Sequence, residues 1–103
     1  MSEYTRVANT NDITPGTALS VECEGETVAL FNVEGKILAI GDTCTHVGGP
    51  LSEGDVSGTT VTCPWHGATF DLTTGKATGP PAQSATPCYD VRIEDGEIHV
   101  RPR

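Results

Sequence analysis

The sequence predicts an all-β fold, an antiparallel β sandwich or partial barrel, and three observations carry that prediction. Apolar residues recur with a period of two, turn residues stand where those segments end, and no apolar stripe at helical spacing runs for a useful length. In chain order, Leu19, Val21 and Cys23 alternate with Ser20, Glu22 and Glu24. Glu24-Gly25 turns the chain into a second strand, Thr27 to Val33, and Glu34-Gly35 turns it again into Lys36 to Ile40. Near the other end Tyr89, Val91 and Ile93 alternate with Asp90, Arg92 and Glu94. Asp95-Gly96 is then a two-residue hairpin signal leading into Ile98 and Val100.

Between these hairpins the composition changes. From Gly41 to about Pro81 the chain is rich in Gly, Pro, Thr and Cys, and its only strand candidates are Thr59 to Thr62 and Ala68 to Leu72. A loop region of this length inside a compact domain calls for something other than a large apolar core to order it, and a metal centre is a physical way to do so. The chain is therefore read as a single domain, residues 1–103, with a small metal-bearing subdomain at about 41–81 inserted between strands. At 103 residues one core and one site are expected.

Charge and hydropathy exclude several classes. Fourteen acidic against six basic residues give a net charge of -8, which repels phosphate backbones and anionic headgroups, so no nucleic-acid partner is expected. That acidity serves either solubility or steering toward basic docking surfaces. The longest apolar runs, Val28 to Phe31 and Ile37 to Ile40, fall far short of a membrane span, and no membrane association is expected. Met1 to Arg6 has neither the basic start nor the apolar centre of a secretory signal, so the expected location is cytoplasmic.

The chemistry lies in two short loops, Cys44-Thr45-His46 and Cys63-Pro64-Trp65-His66, with 16 residues between His46 and Cys63. Each supplies one thiolate and one imidazole. Common structural zinc sites group Cys with Cys and His with His, whereas these pairs are mixed. Mixed pairs suit a two-iron centre in which one iron takes two cysteines and the other two histidines. A mononuclear zinc site remains the competing metal reading, and colour separates the two, since zinc is spectroscopically silent. That the four residues are merely buried thiols and surface histidines is a poor account of a fourfold match to a liganding pattern.

These residues resemble the Rieske family, through Cys44-Thr45-His46-Val47-Gly48-Gly49-Pro50-Leu51 and Cys63-Pro64-Trp65-His66-Gly67-Ala68-Thr69-Phe70-Asp71. Thr74-Gly75-Lys76-Ala77 and Gly79-Pro80-Pro81 look like the family's third loop. The resemblance implies one [2Fe–2S] cluster on Cys44, His46, Cys63 and His66, in a β sandwich or partial barrel bearing a cluster-binding subdomain. Gly48, Gly49 and Gly67 are expected to let backbone approach the cluster closely and aim N–H groups at its sulfurs. Trp65 either shields the cluster or fills the subdomain's small core.

High-potential respiratory members of that family carry an extra cysteine where Gly49 and Trp65 stand here, and hydroxyls where Ala68 and Phe70 stand, so the resemblance points to the low-potential branch. A terminal oxygenase subunit needs a mononuclear iron on two histidines and a carboxylate, yet beyond the cluster motifs only His99 remains. The implied role is a carrier and not an enzyme. It is that of the ferredoxin component of a multicomponent aromatic-ring dioxygenase system, a monomer between an NAD(P)H-dependent flavin reductase and a terminal Rieske oxygenase. The alternative is the small Rieske subunit of a nitrite reductase-like complex. Strand alternation sets Cys23 and Cys88 on different faces, so no disulfide joins them, and His99 is expected to face solvent.

Overall fold

A computed structural model describes residues 4–23, 25–42, 50–64, 67–79 and 86–102. Its ten strands are β1 (Thr5–Asn9), β2 (Ala18–Cys23), β3 (Glu26–Val33), β4 (Lys36–Gly41), β5 (Asp55–Ser57), β6 (Thr60–Thr62), β7 (Thr69–Asp71), β8 (Ala77–Gly79), β9 (Cys88–Glu94) and β10 (Glu97–Pro102). A six-stranded antiparallel sheet runs in the order β1-β10-β9-β4-β3-β2, and a four-stranded one in the order β5-β6-β7-β8. Both of the sheet's edge strands, β1 and β2, also lie against each other, so the larger sheet curls toward a barrel. The smaller sheet enters the chain between β4 and β9.

The expected hairpins form at the expected turns. Glu34 and Gly35 have φ of 54° and 92°, with Val33 paired to Lys36, while Asp95 and Gly96 have φ of 50° and 76°, with Glu94 paired to Glu97. Positive φ at both central residues matches the right-handed twist of the flanking strands.

Two apolar cores, where chain length suggested one, share the strands β3 and β4. Val28 and Leu30 of β3 point into the curl with Ala39, Tyr89, Ile98 and Val100, whereas Ala29 and Phe31 point the other way and meet Val61, Phe70 and Leu72 beneath the smaller sheet. A strand buried on both faces has no polar side, which is why residues 28–31 read as an uninterrupted apolar run and not as an alternation. In β4, Ala39 and Ile40 likewise divide between the two cores.

Three strands were not anticipated. All of β5 is exposed, β8 is Ala-Thr-Gly, and β1 buries only Ala8 with a register shift between Arg6 and Ala8, so none carries an apolar alternation to detect. Ile93 is also a departure: it keeps the phase of Tyr89 and Val91 but lies beyond the rim of the core, 49% exposed.

Candidate metal centre

Cys63 follows β6 directly, and the chain reverses at once into β7. Its N–H donates to the Ala68 carbonyl at 2.7 Å, and the Gly67 N–H donates to the Cys63 carbonyl at 3.2 Å, so the loop between them is fastened at its neck. Gly67 sits at φ 77°, where L side chains are strained, yet a Cβ there would meet no atom within 4 Å. The backbone angle by itself favours glycine at this position. Cys63 is 2% exposed and packs with Leu51, Ala68 and Phe70 in the core between the sheets. It is not disulfide-bonded. A buried thiol at the neck of a short loop is a donor that can serve a metal without further rearrangement of its strand.

Of the four candidate ligands, Cys63 is described, whereas Cys44, His46 and His66 lie outside the described residues, as do Gly48, Gly49, Trp65, Pro80 and Pro81. The anchors on either side of these segments are well defined. Residue 42 ends one strand path and residues 50–53 resume it: the Leu51 N–H donates to the Asp42 carbonyl at 2.6 Å, and the Ser52 N–H to Asp42 Oδ1 at 2.7 Å. The Asp42 carboxylate also accepts the Ser20 hydroxyl at 3.1 Å.

The third anchor is a turn after β7. Gly75 donates its N–H to the Asp71 carbonyl at 2.7 Å and accepts the Thr86 N–H at 2.8 Å. A Cβ on Gly75 would collide with the Thr86 carbonyl, and its φ is 78°, so both space and angle demand glycine there. Thr86 is itself buried, and its hydroxyl reaches the Gly41 carbonyl at 3.4 Å, tying this turn to the start of the Cys44 segment. Cys88 adds a contact from β9, its thiol 3.5 Å from the Thr73 carbonyl.

Asp71 organises that turn. Its carboxyl is held below the ordinary carboxylate range, first by the Thr73 hydroxyl donating to Oδ1 at 2.6 Å and then by the Thr73 N–H at 2.8 Å. Desolvation opposes them, while the Thr74 N–H and the charge of Lys76 add smaller shares in the same sense as Thr73. A carboxylate with a depressed pKa contributes stability that is complete above its unfolded pKa and lost as pH falls through the folded one. Asp71→Asn should therefore melt below the native protein at neutral pH, and that gap should narrow in strong acid. Thermal melts across the acid range check this, and a gap independent of pH would refute it.

The outer face of β1, β10 and β9 carries a ladder of ion pairs. Arg6 meets Glu97 at 3.0 Å, Arg92 meets Glu94 at 3.1 Å, and Arg101 meets Asp90 at 3.4 Å. Arg101 also lies over the Tyr4 ring, 4.7 Å from its centroid. His99, expected in solvent, is half-buried among these groups with Nε2 3.4 Å from Glu97 Oε1, because its neighbours across the sheet are the long side chains of Arg6 and Arg92. Cys23 and Cys88 belong to opposite cores, which accounts for the absence of a bridge between them.

A family model for the Rieske [2Fe-2S] domain matches residues 3–90. The chain belongs to the Rieske family. The centre of such a domain is a [2Fe–2S] cluster held by two cysteines and two histidines. The biphenyl dioxygenase ferredoxin subunit of Pseudomonas sp. strain KKS102 is 37% identical over 98 residues, spanning 94% of this chain and 90% of that protein. The ferredoxin of carbazole 1,9a-dioxygenase from Nocardioides aromaticivorans IC177 superposes with a TM-score of 0.92 at 29% identity, covering 99% of this chain and 100% of that one. A chain of the complex of reduced oxygenase and oxidized ferredoxin in carbazole 1,9a-dioxygenase aligns with a TM-score of 0.86 at 33% identity, covering 94% and 91%. The two sheets are thus the Rieske ferredoxin fold.

The anchors of this Rieske centre were the part that sequence reasoning passed over. Asp71-x-Thr73 has the form of an Asx-turn, in which an Asp side chain caps the backbone two residues on, and that signal was available. Asp42 and Thr86 leave no such local signature, since their partners at Ser20, Ser52, Gly41 and Gly75 are brought to them by the fold.

Proposed function

We propose that this protein is the electron-carrying ferredoxin component of a multicomponent aromatic-ring dioxygenase system. It takes electrons from an NAD(P)H-dependent flavin reductase and hands them to a terminal Rieske oxygenase. The observation that carries this reading is the end-to-end match, in both directions, with the ferredoxin of a carbazole dioxygenase. A relative of the same kind in a complex with its oxygenase supports the recipient.

Cys44, His46, Cys63 and His66 would hold the cluster, which supplies a site for one electron at a time. The donor set fits: the fold buries the Cys63 thiol at a loop neck and fastens the chain on either side of the Cys44-His46 segment. Cys44 and Cys63 would serve the iron that stays ferric, and the two imidazoles the iron that is reduced, because neutral ligands leave less negative charge around it. Residues about 41–81 then form the cluster-binding subdomain of a single Rieske domain, its small sheet resting on the outer face of β3. The working place is the cytoplasm, where NAD(P)H is supplied. No helix among the described residues is long and apolar enough to cross a membrane.

The purified protein is expected to be red-brown, with about two irons and two sulfides per chain and no stoichiometric zinc. It should elute as a monomer and relay electrons between reductase and oxygenase. A colourless zinc protein would overturn the reading. Elution only within a tight complex would favour an integral subunit over a shuttle.

A further inference from the structure

Asp42 is 7% exposed, and each of its polar groups is engaged. Its N–H donates to the Thr27 carbonyl at 3.1 Å, its carbonyl accepts the Leu51 N–H, Oδ1 accepts the Ser52 N–H and Oδ2 accepts the Ser20 hydroxyl. Thr27 and Ser20 belong to β3 and β2, while Leu51 and Ser52 lie in the 3-10 turn Leu51–Glu53. One residue therefore joins the barrel wall to both ends of the segment that contains Cys44 and His46.

The main-chain bond from Leu51 already closes that segment. The side chain adds a second bond to the next amide and brings a carboxylate into the interior, two residues before Cys44. Burying a charge costs free energy that a neutral amide would not. An asparagine would accept the same Ser52 N–H and donate to Ser20 Oγ, so closure alone does not call for aspartate. A negative charge beside a centre that gains an electron opposes that gain, and the weak screening of the interior preserves the effect.

Resting on the ligand assignment above, we propose that Asp42 is a positioning residue for the [2Fe–2S] cluster: it clasps the Cys44-His46 segment at both ends and, through its charge, biases the cluster toward the oxidised form.

The test compares Asp42→Asn and Asp42→Ala holoproteins for iron and sulfide content, bleaching by excess chelator, and midpoint potential by protein-film voltammetry. Asp42→Asn keeps the clasp and removes the charge. It should hold full iron with a native bleaching half-life, and be about threefold more reduced at a fixed electrode potential, equal to about 28 mV at 59 mV per decade for a one-electron couple. Asp42→Ala loses both side-chain bonds and should bleach several-fold faster. If it does not accumulate, Ser20→Ala, which removes one donor, should bleach faster than native in its place. A native potential in Asp42→Asn overturns the charge bias, and a native bleaching half-life in the clasp variants overturns the clasp. Cys44→Ala and His46→Ala separate this from the ligand assignment: a full cluster in either defeats that assignment, whereas colourless variants beside a native-potential Asp42→Asn defeat the proposal for Asp42 alone.

Discussion

Cys63→Ala is expected to give a colourless protein with no bound iron, while Cys23→Ala and Cys88→Ala keep native colour and full iron. The three thiols are all wholly or partly buried, so burial alone does not distinguish them; their places in the fold do. Cys23 sits inside the curl of the large sheet with Val28 and Leu30, in a different core from Cys63 and distant from either cluster motif along the chain. Cys88 rests against the core between the sheets but is itself a strand residue, the first of β9, with Ile40 opposite. Cys63 alone lies at a loop neck, clamped to Ala68. Alanine there keeps the clamp, since the bonds are main-chain, and removes only the sulfur. The loss should therefore be of metal first. Because cluster binding contributes folding free energy, the colourless variant should also melt earlier than the other two. Iron analysis, visible absorption and thermal melts on the three variants decide it, and a full cluster in Cys63→Ala would remove Cys63 from the ligand set.

The second large effect is on potential. The native midpoint should lie toward the lower end of the Rieske range of roughly -150 to +300 mV, and Ala68→Ser and Phe70→Tyr should raise it. Both positions are wholly buried in the core that contains Cys63, and neither side chain offers a donor. A hydroxyl aimed at a sulfur favours the reduced form, in which the sulfur carries more negative charge. If each hydroxyl is worth about 1–2 kcal/mol to that form, the potential rises by roughly 40–90 mV per substitution. The added oxygen must be fitted into a close-packed region, at a stability cost of about 1–3 kcal/mol if the core does not yield. Voltammetry and melting on the two single variants and the double one separate these effects. No upward shift in variants with intact clusters would show that main-chain donors or solvent exposure set the potential.

Much of this architecture was legible in the residues, and the physical reason is plain where it was not. The hairpins at Glu34-Gly35 and Asp95-Gly96 were readable because two-residue turns leave a local signal. The Rieske family was readable because Cys and His at fixed short spacing are rare without a metal. β5 and β8 were hidden because three-residue strands at a sheet edge bury almost nothing of their own. Ile93 misled because alternation reports which face a side chain takes, not where the core ends. Asp42 and Thr86 were beyond reach because an anchor is defined by partners far away in sequence.

The ion pairs on the outer face of β1, β10 and β9 have a consequence for how the molecule travels. Exposed pairs of this kind add little stability. Their effect is on layout: three of the six basic side chains are each cancelled by an acid on the same face, so the whole net charge of -8 falls on the rest of the chain. A body with a neutral back and an acidic remainder has an electric dipole moment. In the field of an oppositely charged surface it experiences a torque before it makes contact, and rotational diffusion is biased so that one side arrives first. For an electron carrier that docks on a partner protein, such pre-alignment shortens the search over orientations at each encounter.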